Sequence, residues 1–183
     1  MFLKYLIIES TNGLVRRVYF HQGLNLIVDE TPSGNEETGN NVGKTTVLRL
    51  IDFCFGMDGS KIYSATEGTK VINEDVKNFL INTEVMITLC LTDSFSANAK
   101  DVIVRRNFLS GKRNLMEING QKVDKKSFET ELQKALWNVE TSKPSFRQII
   151  SHNFRYDEER LTQTLRTLNR YTSDVEYETL HLY

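Results

Sequence analysis

The chain of 183 residues has little proline and cysteine, no excess of either charge and no long apolar run. With only two prolines, ten glycines and 39% hydrophobic residues, it is neither disordered nor of low complexity. Lys plus Arg number 23 against 24 Asp plus Glu, so overall charge indicates neither a nucleic-acid nor a membrane partner, and any nucleic-acid surface must be local. The length suits one domain with a real core.

The cysteines and the N-terminus bear on the cellular compartment. Cys54 and Cys90 stand in apolar runs without metal-ligand spacing, and two cysteines make no disulfide framework, so we interpret both as reduced core residues. The first ten residues, MFLKYLIIES, are charged too early for a signal peptide. No run reaches the roughly 18 apolar residues of a membrane span. We therefore expect a cytoplasmic protein without membrane association.

The first thirty residues predict three strands. Phe2–Glu9 and Leu14–Phe20 flank Asn12-Gly13, which is a strong hairpin signal between β-rich runs. Leu24–Asp29 is short and almost continuously apolar, as is typical of a buried central strand. The polar, acidic stretch from Asp29 to Glu37 predicts a loop.

Helical and strand patterns alternate in the rest of the chain. Apolar spacing predicts a helix over Thr45–Phe55 that Gly56 ends. The sequence between Gly56 and Glu74 predicts irregular structure. Further predicted elements are a helical turn at Asp75–Leu80, strands at Glu84–Leu91, Val102–Phe108 and Leu115–Ile118, a hairpin through Asn119-Gly120 into Gln121–Val123, helices from Asp124 to Trp137 and from Phe146 to Phe154, and helices from Glu158 to the end.

Gly43-Lys44-Thr45 forms a phosphate-binding signature in an irregular frame. In the usual pattern G-x-x-x-x-G-K-[ST], the first glycine position falls on Thr38, and Gly39 comes one place late. The signature follows a predicted buried strand and opens an amphipathic helix, which is the context that the motif requires. The alternative is a chance Gly-Lys-Thr at a helix start.

Each part of a Mg-ATP site has a candidate in this stretch. Lys44, the candidate catalytic residue, would neutralise the β and γ phosphates, Thr45 would hold Mg²⁺, and Thr46 would add a hydroxyl near the α phosphate. Backbone N–H groups and the helix dipole would complete the site. The predicted nucleotide-binding residues here are Thr38, Gly39, Asn40, Asn41, Val42, Gly43, Lys44, Thr45 and Thr46.

Two ordered matches identify a family resemblance. The runs GLNLIV at 23–28, GNNVGKTT at 39–46 and VLRLIDFCFG at 47–56 resemble the N-terminal half of an SMC-type ATPase head, the group that includes SMC, RecN and RecF-like proteins. Further on, MEINGQKV at 116–123 is similar to a hairpin of SMC heads. The resemblance covers roughly residues 1–137. It implies an ABC-type α/β P-loop NTPase fold with a mixed sheet, an antiparallel β subdomain and C-terminal helices.

The resemblance also implies a domain organisation. Residues 1–183 are expected to form one ATPase head lobe: strands, P-loop and first helix over 1–56, a β subdomain and helix over 57–137, and a helical segment over 138–183 that continues in a longer protein. The phrase GLNLIVDE and the acidic insert after it resemble SMC-like ATPases of bacterial multi-component, defence-type ABC systems.

In function, the resemblance implies ATP and Mg²⁺ as cofactors and a second ATPase head as partner, either in a homodimer or as the other half of the same protein. ATP-driven engagement of the heads would act on DNA or a defence effector subunit, in genome maintenance or anti-phage defence. The alternative is a nucleotide-sensing interaction module that organises a complex with little hydrolysis.

Two family motifs are absent in recognisable form. Leu109-Ser110-Gly111-Lys112 resembles the start of an LSGGQ signature but lacks the second glycine, and we interpret it as a turn. Val85–Asp93 resembles a Walker B strand, but no glutamate follows Asp93, which favours a half-buried antiparallel strand ending in a turn. The isolated chain is therefore expected to bind nucleotide weakly and to hydrolyse it poorly.

Three further features allow two interpretations each. By position, Gln148 matches the family glutamine that senses Mg²⁺ and the γ phosphate, or it is a surface residue of a helix. Arg16-Arg17 and Arg105-Arg106 are interpreted as solvated edge charges, with a surface facing DNA or nucleotide as the alternative. The acidic insert 29–37 is either a mobile flap over the nucleotide or a surface loop.

Overall fold

The computed structural model describes residues 1–28, 43–64, 71–140 and 142–156, together with Val175 and Glu178. The strands in these ranges are β1 (Phe2–Ser10), β2 (Gly13–Tyr19), β3 (Met86–Thr92), β4 (Asp101–Asn107), β5 (Met116–Ile118) and β6 (Gln121–Lys122). The helices are α1 (Lys44–Cys54), α2 (Ser60–Tyr63), α3 (Glu74–Asn82), α4 (Phe128–Trp137) and α5 (Phe146–Asn153), with a short 3-10 turn at Gly111–Arg113.

The six strands form one antiparallel sheet in the order β2-β1-β3-β4-β5-β6. Both Asn-Gly predictions are confirmed. Ser10 pairs with Gly13 across the β1–β2 turn, and Ile118 pairs with Gln121 across Asn119-Gly120. Asn119 and Gly120 both have positive φ, as a two-residue hairpin loop with the twist of the strands requires.

The main core lies between one face of this sheet and the helices. In β4, Val102, Val104 and Arg106 alternate as buried residues, because a strand presents every second side chain to the same face. β3 is buried along almost its whole length, so its interpretation as an antiparallel strand is confirmed but the expected half-burial is wrong. α1 packs against β3 and β4, and α4 packs against β5.

The cysteines lie where the sequence places them. Cys54 at the end of α1 and Cys90 in β3 are both free thiols and both buried. Burial raises the pKa of the Cys54 thiol to about 12, so this sulfur stays protonated and unreactive at neutral pH. The prediction of two reduced core cysteines is confirmed.

The predicted mixed sheet and the predicted strand at Leu24–Asp29 are wrong for the described residues. Residues 24–28 are not part of a strand, and every described strand pairing is antiparallel. A strand needs a neighbour for its backbone N–H and C=O groups. The apolar segment Leu24–Val28 pairs with no strand in the described part of the chain and remains exposed.

Most helix predictions are confirmed within a few residues at each end. α1, α3 and α5 lie at the predicted places, and Gly56, with φ of 104°, follows α1 as predicted. α4 begins at Phe128, later than predicted, because Asp124 caps the preceding turn through the N–H groups of Lys126 and Ser127. The short helix α2 was not predicted.

The predicted helices from Glu158 onward lie outside the described residues, except that Val175 and Glu178 are helical. The organisation of residues 1–183 as one head lobe therefore stays a prediction. In the part of the chain that the structure describes, no helix combines the length and the apolarity needed to cross a bilayer.

Candidate functional site

Gly43 stands directly before α1 in a left-handed conformation, with φ of 73° and ψ of 18°. Glycine adopts this conformation without the strain that a Cβ would introduce. Among the described residues, the nearest neighbour of a Cβ at this position would be the Thr46 Cβ at 3.9 Å, which is an ordinary contact distance. The backbone conformation therefore accounts for glycine at this position.

The first turn of α1 contains hydrogen-bond donors that have no acceptor within the helix. The first intrahelical bond that closes is from Val47 N–H to the Gly43 carbonyl at 3.1 Å, so the N–H groups of Lys44, Thr45 and Thr46 have no acceptor within the helix. Among the described residues no side chain caps this end, and the turn contains no acidic residue. Thr45 and Thr46 are exposed and Lys44 is half-buried. This set of donors suits a phosphate group at the positive end of the helix dipole.

The remaining predicted cradle residues lie outside the described residues. They are Thr38, Gly39, Asn40, Asn41 and Val42. The acidic insert 29–37 also lies outside the described residues. Of the predicted nucleotide-binding stretch, the structure therefore places Gly43, Lys44, Thr45 and Thr46, and the roles of the whole set stay predictions.

A buried carboxylate anchors the opposite end of α1. Asp52 is 1% exposed. Its Oδ1 accepts a hydrogen bond from Arg147 Nη1 at 2.7 Å, and its Oδ2 accepts one from the Tyr156 hydroxyl at 2.6 Å. Arg147 Nη1 also donates to the Phe55 carbonyl at 3.0 Å. These bonds connect the C-terminal end of α1 to α5 and to the residue Tyr156 beyond it.

Arg106 binds the same end of α1 from the sheet. Its Nη1 donates to the carbonyls of Phe53 and Met57, and its guanidinium lies over the Phe53 ring at 4.1 Å from the centroid. A second ring, Phe128, lies 5.2 Å from the guanidinium carbon. Arg106 is 7% exposed, and this burial lowers its pKa. The cation nonetheless suits a helix C-terminus, where the dipole is negative.

The interpretation of Arg106 as a solvated edge charge is therefore wrong. Alternation along β4 turns Arg106 to the core face, where the last carbonyls of α1 need donors, and turns Arg105 to the other face. There Arg105 is half-exposed and pairs with Glu117 at 2.9 Å. Arg16 and Arg17 are exposed on the edge strand β2, as predicted.

Sequence reasoning missed Asp52, Arg147 and Tyr156. One signal for Asp52 was present, because it is the only charged residue in the apolar run Ile51-Asp52-Phe53-Cys54-Phe55. A carboxylate at a buried helix position needs a partner. The partner could not be named, because Arg147 and Tyr156 stand 95 and 104 residues away in the sequence.

Gln148 has a structural role at the start of α5. Its side-chain oxygen accepts from the Ser145 N–H at 2.7 Å, and its own N–H donates to Ser145 Oγ at 3.3 Å, which together make a capping box. The adjacent Arg147 holds this turn of α5 against the C-terminal end of α1. The role of Gln148 as a nucleotide sensor stays a prediction.

The two motif-like stretches have the structures expected of turns. The Asp93 carboxylate follows β3 and accepts from the Lys100 N–H at 2.9 Å, so it closes the β3–β4 loop. Leu109-Ser110-Gly111-Lys112 leads into the 3-10 turn, with Gly111 at φ of 61°. The interpretation of this stretch as a turn is confirmed.

Comparison with known proteins gives a likeness of fold. No family model matches the chain, and no curated protein matches it. Among solved structures, one chain is similar over 92% of this chain and 100% of its own length, with a TM-score of 0.50 and 15% identity. That structure is described as concerning the structural biochemistry of ATP-driven dimerization and DNA-stimulated activation of SMC ATPases. The likeness concerns the fold alone: the helices and strands of this chain are arranged similarly to those of that structure.

Proposed function

We propose that this chain is the ATP-binding N-terminal lobe of an SMC-like ATPase head. The observation that carries the proposal is the left-handed Gly43 followed by the open first turn of α1, within a fold similar to that of an SMC ATPase. In the intact protein, ATP would drive engagement with a second head, in a homodimer or with the other half of the same protein. The engaged heads would act on DNA or on an effector subunit, in genome maintenance or anti-phage defence.

The described residues fit a Mg-nucleotide. Lys44 would pair with the β and γ phosphates, the N–H groups of the first turn would bind phosphate oxygens, and Thr45 would supply a hydroxyl ligand to Mg²⁺. When bound, the metal neutralises charge that develops on the phosphates. The exposed Thr46 hydroxyl is available to the α phosphate. No carboxylate stands in the first turn to oppose this charge pattern.

Two observations support a lobe that needs a partner for turnover. The apolar segment Leu24–Val28 is exposed, and an exposed apolar segment can mark a contact with another protein. Asp93, the nearest match to a Walker B aspartate, closes a loop and is followed by Ser94, so it has no neighbouring glutamate to activate water. Hydrolysis by the isolated chain should therefore be poor.

Direct binding of Mg-ATP, measured by isothermal titration calorimetry, tests the proposal. Lys44→Ala should weaken binding strongly because it removes the ammonium that pairs with the phosphates. Thr45→Ala should remove the gain in affinity that Mg²⁺ gives over EDTA. Lys77→Ala is the control, since Lys77 pairs with Glu74 on α3 and has no proposed role. Undiminished binding by Lys44→Ala would refute the assignment.

The rate of ATP hydrolysis separately tests whether the chain needs a partner for turnover. We expect the isolated chain to release phosphate from ATP only slowly, and a polypeptide that supplies the missing head half to raise the rate. Robust hydrolysis by residues 1–183 alone, abolished by Lys44→Ala, would retain the nucleotide site but contradict the need for a partner.

A further inference from the structure

A cleft of about 640 Å³ lies at the C-terminal end of α1. Its walls come from residues 53–63, from residues 106–116 and from residues 122–125. Lys44 and Phe53 are nine residues apart along α1, which corresponds to roughly 14 Å of helix. The cleft is thus a different place from the first turn of α1.

The charge on the cleft walls is unbalanced. The lining includes four cations and two carboxylates: Lys112, Lys122, Lys125 and Arg106, and Asp58 and Asp124. The three lysines are exposed. Within the described ranges, no carboxylate oxygen lies within salt-bridge distance of any of their ammonium groups. An anion entering the cleft would therefore meet ammonium groups that have no close counter-ion.

Both carboxylates of the lining are engaged in local turns. Asp58 Oδ1 accepts from the Ser60 hydroxyl at 2.6 Å and from the Ser60 N–H at 2.8 Å. Asp124 accepts from the Ser127 hydroxyl at 2.8 Å and from the Lys126 N–H at 2.8 Å. These hydrogen bonds lower the pKa of each carboxyl group. The carboxylates thus stabilise the walls and do not form close ion pairs with the lysines.

Arg106 contributes a buried guanidinium to the cleft wall. It is 7% exposed, and its Nε–H, which has no acceptor among the described residues, is itself buried. Beside it, the Phe53 and Phe108 rings stack at 4.4 Å and 7°, and half-buried Phe108 gives the cleft an apolar wall.

We propose that this cleft binds a small phosphate-bearing molecule of nucleotide size, separately from the Gly43–Thr46 site. A volume of 640 Å³ lies in the range of small-molecule sites, about 300–1,000 Å³. The three lysines suit a multiply charged phosphate, and Phe108 and Val123 suit its apolar part. A nucleic-acid backbone would use only the exposed lysines, whereas a small ligand also uses the volume of the cleft and its apolar wall.

Inorganic pyrophosphate is the probe, and Lys44→Ala is the background, so that binding at the first turn of α1 does not contribute. The cleft variant is Lys112→Gln/Lys122→Gln/Lys125→Gln. The control is Lys77→Gln/Lys100→Gln/Lys134→Gln, which removes the same charge from lysines outside the cleft lining. Calorimetry should show pyrophosphate binding to the background protein, weakened on the order of ten-fold by the cleft variant and far less by the control.

A second readout locates the ligand without any substitution in the cleft. Pyrophosphate should shift the amide resonances of Gly59 and Gly111, which line the cleft, and leave that of Gly120 unchanged. Absence of binding to Lys44→Ala overturns the proposal while leaving the nucleotide site intact. Equal weakening by both triple variants also overturns it, as does a cleft variant that loses only duplex oligonucleotide binding.

Discussion

The two ends of α1 differ in almost every property that packing gives a helix. At the N-terminal end, Thr45 and Thr46 are exposed, and no side chain within the described residues caps the open N–H groups. At the C-terminal end, residues 50–55 are buried, and two guanidinium groups and a phenol bind the helix. One end is open to a ligand, and the other is fixed to the sheet and to α5.

This difference explains how one helix can serve both fold and function. Stability within a protein is uneven, and ligand-binding segments come from its less packed parts. Arg106, Arg147 and Tyr156 hold the C-terminal end of α1, so the position of the helix does not depend on contacts at its first turn. The same contacts connect α1 to α5, where Arg147 stands next to Gln148.

Removal of the carboxylate at the C-terminal end should have the largest effect. Asp52→Ala removes the buried acceptor that the half-buried Arg147 guanidinium and Tyr156 hydroxyl share. We expect the free energy of unfolding to fall by about 3–5 kcal/mol, as is usual when one partner of a buried pair is lost. Urea unfolding measures this. Asp52→Asn, which keeps one acceptor oxygen, should cost less, and an equal cost for both would show that the charge is unimportant.

Loss of Arg106 should have the next largest effect. Arg106→Met keeps much of the volume but leaves the Met57 carbonyl without its donor, and we expect a loss of about 1–3 kcal/mol. Arg105→Met is the matched control on the opposite face of β4. Its half-exposed pair with Glu117 should contribute less than about 1 kcal/mol. Equal losses in chemical denaturation would contradict the burial of Arg106.

At the N-terminal end, stability and binding should separate. Gly43→Ala and Gly120→Ala both place a Cβ at positive φ in open space, so each should lose about 1–2 kcal/mol of stability. Only Gly43→Ala should also weaken Mg-ATP binding, because only Gly43 borders the first turn of α1. If neither variant is less stable by thermal unfolding, the left-handed conformations do not hold in solution.

The smallest effect on stability is expected in the exposed segment before the nucleotide site. Leu26 is 73% exposed, so Leu26→Lys should change the unfolding free energy by less than about 0.5 kcal/mol. Leu89→Ala, at a fully buried position of β3, should cost about 2–5 kcal/mol. If Leu26→Lys also prevents association with the proposed partner head, residues 24–28 form part of that interface. A loss comparable with Leu89→Ala would contradict their exposure.

Local signals in the sequence were sufficient for much of the fold. The Asn-Gly turns, the helix that follows Gly43 and the Ser145 start of α5 depend on a few adjacent residues, and all three occur in the structure. Leu24–Val28 has the pattern of a buried strand, but whether a strand forms also depends on a neighbour. That neighbour is not in the described part of this chain, so the pattern alone was misleading.

The candidate site likewise has one part that the sequence could predict and one part that it could not. Gly43, Lys44 and Thr45 form a contiguous motif, so the sequence could place them at the start of a helix. The network at the other end joins Asp52 to residues about a hundred positions away, and the burial of Arg106 depends on how β4 faces α1. Periodicity within a single segment does not contain that information.

Thermal and chemical unfolding with and without Mg-ATP tests the central claim most directly. At a nucleotide concentration 100-fold above Kd, binding to the folded state alone should add about 2.7 kcal/mol to the stability of the unmodified chain. The same nucleotide should add much less to Lys44→Ala and the full increment to Arg105→Met. An equal increment in Lys44→Ala, or none in the unmodified chain, would contradict a nucleotide site at the open end of α1.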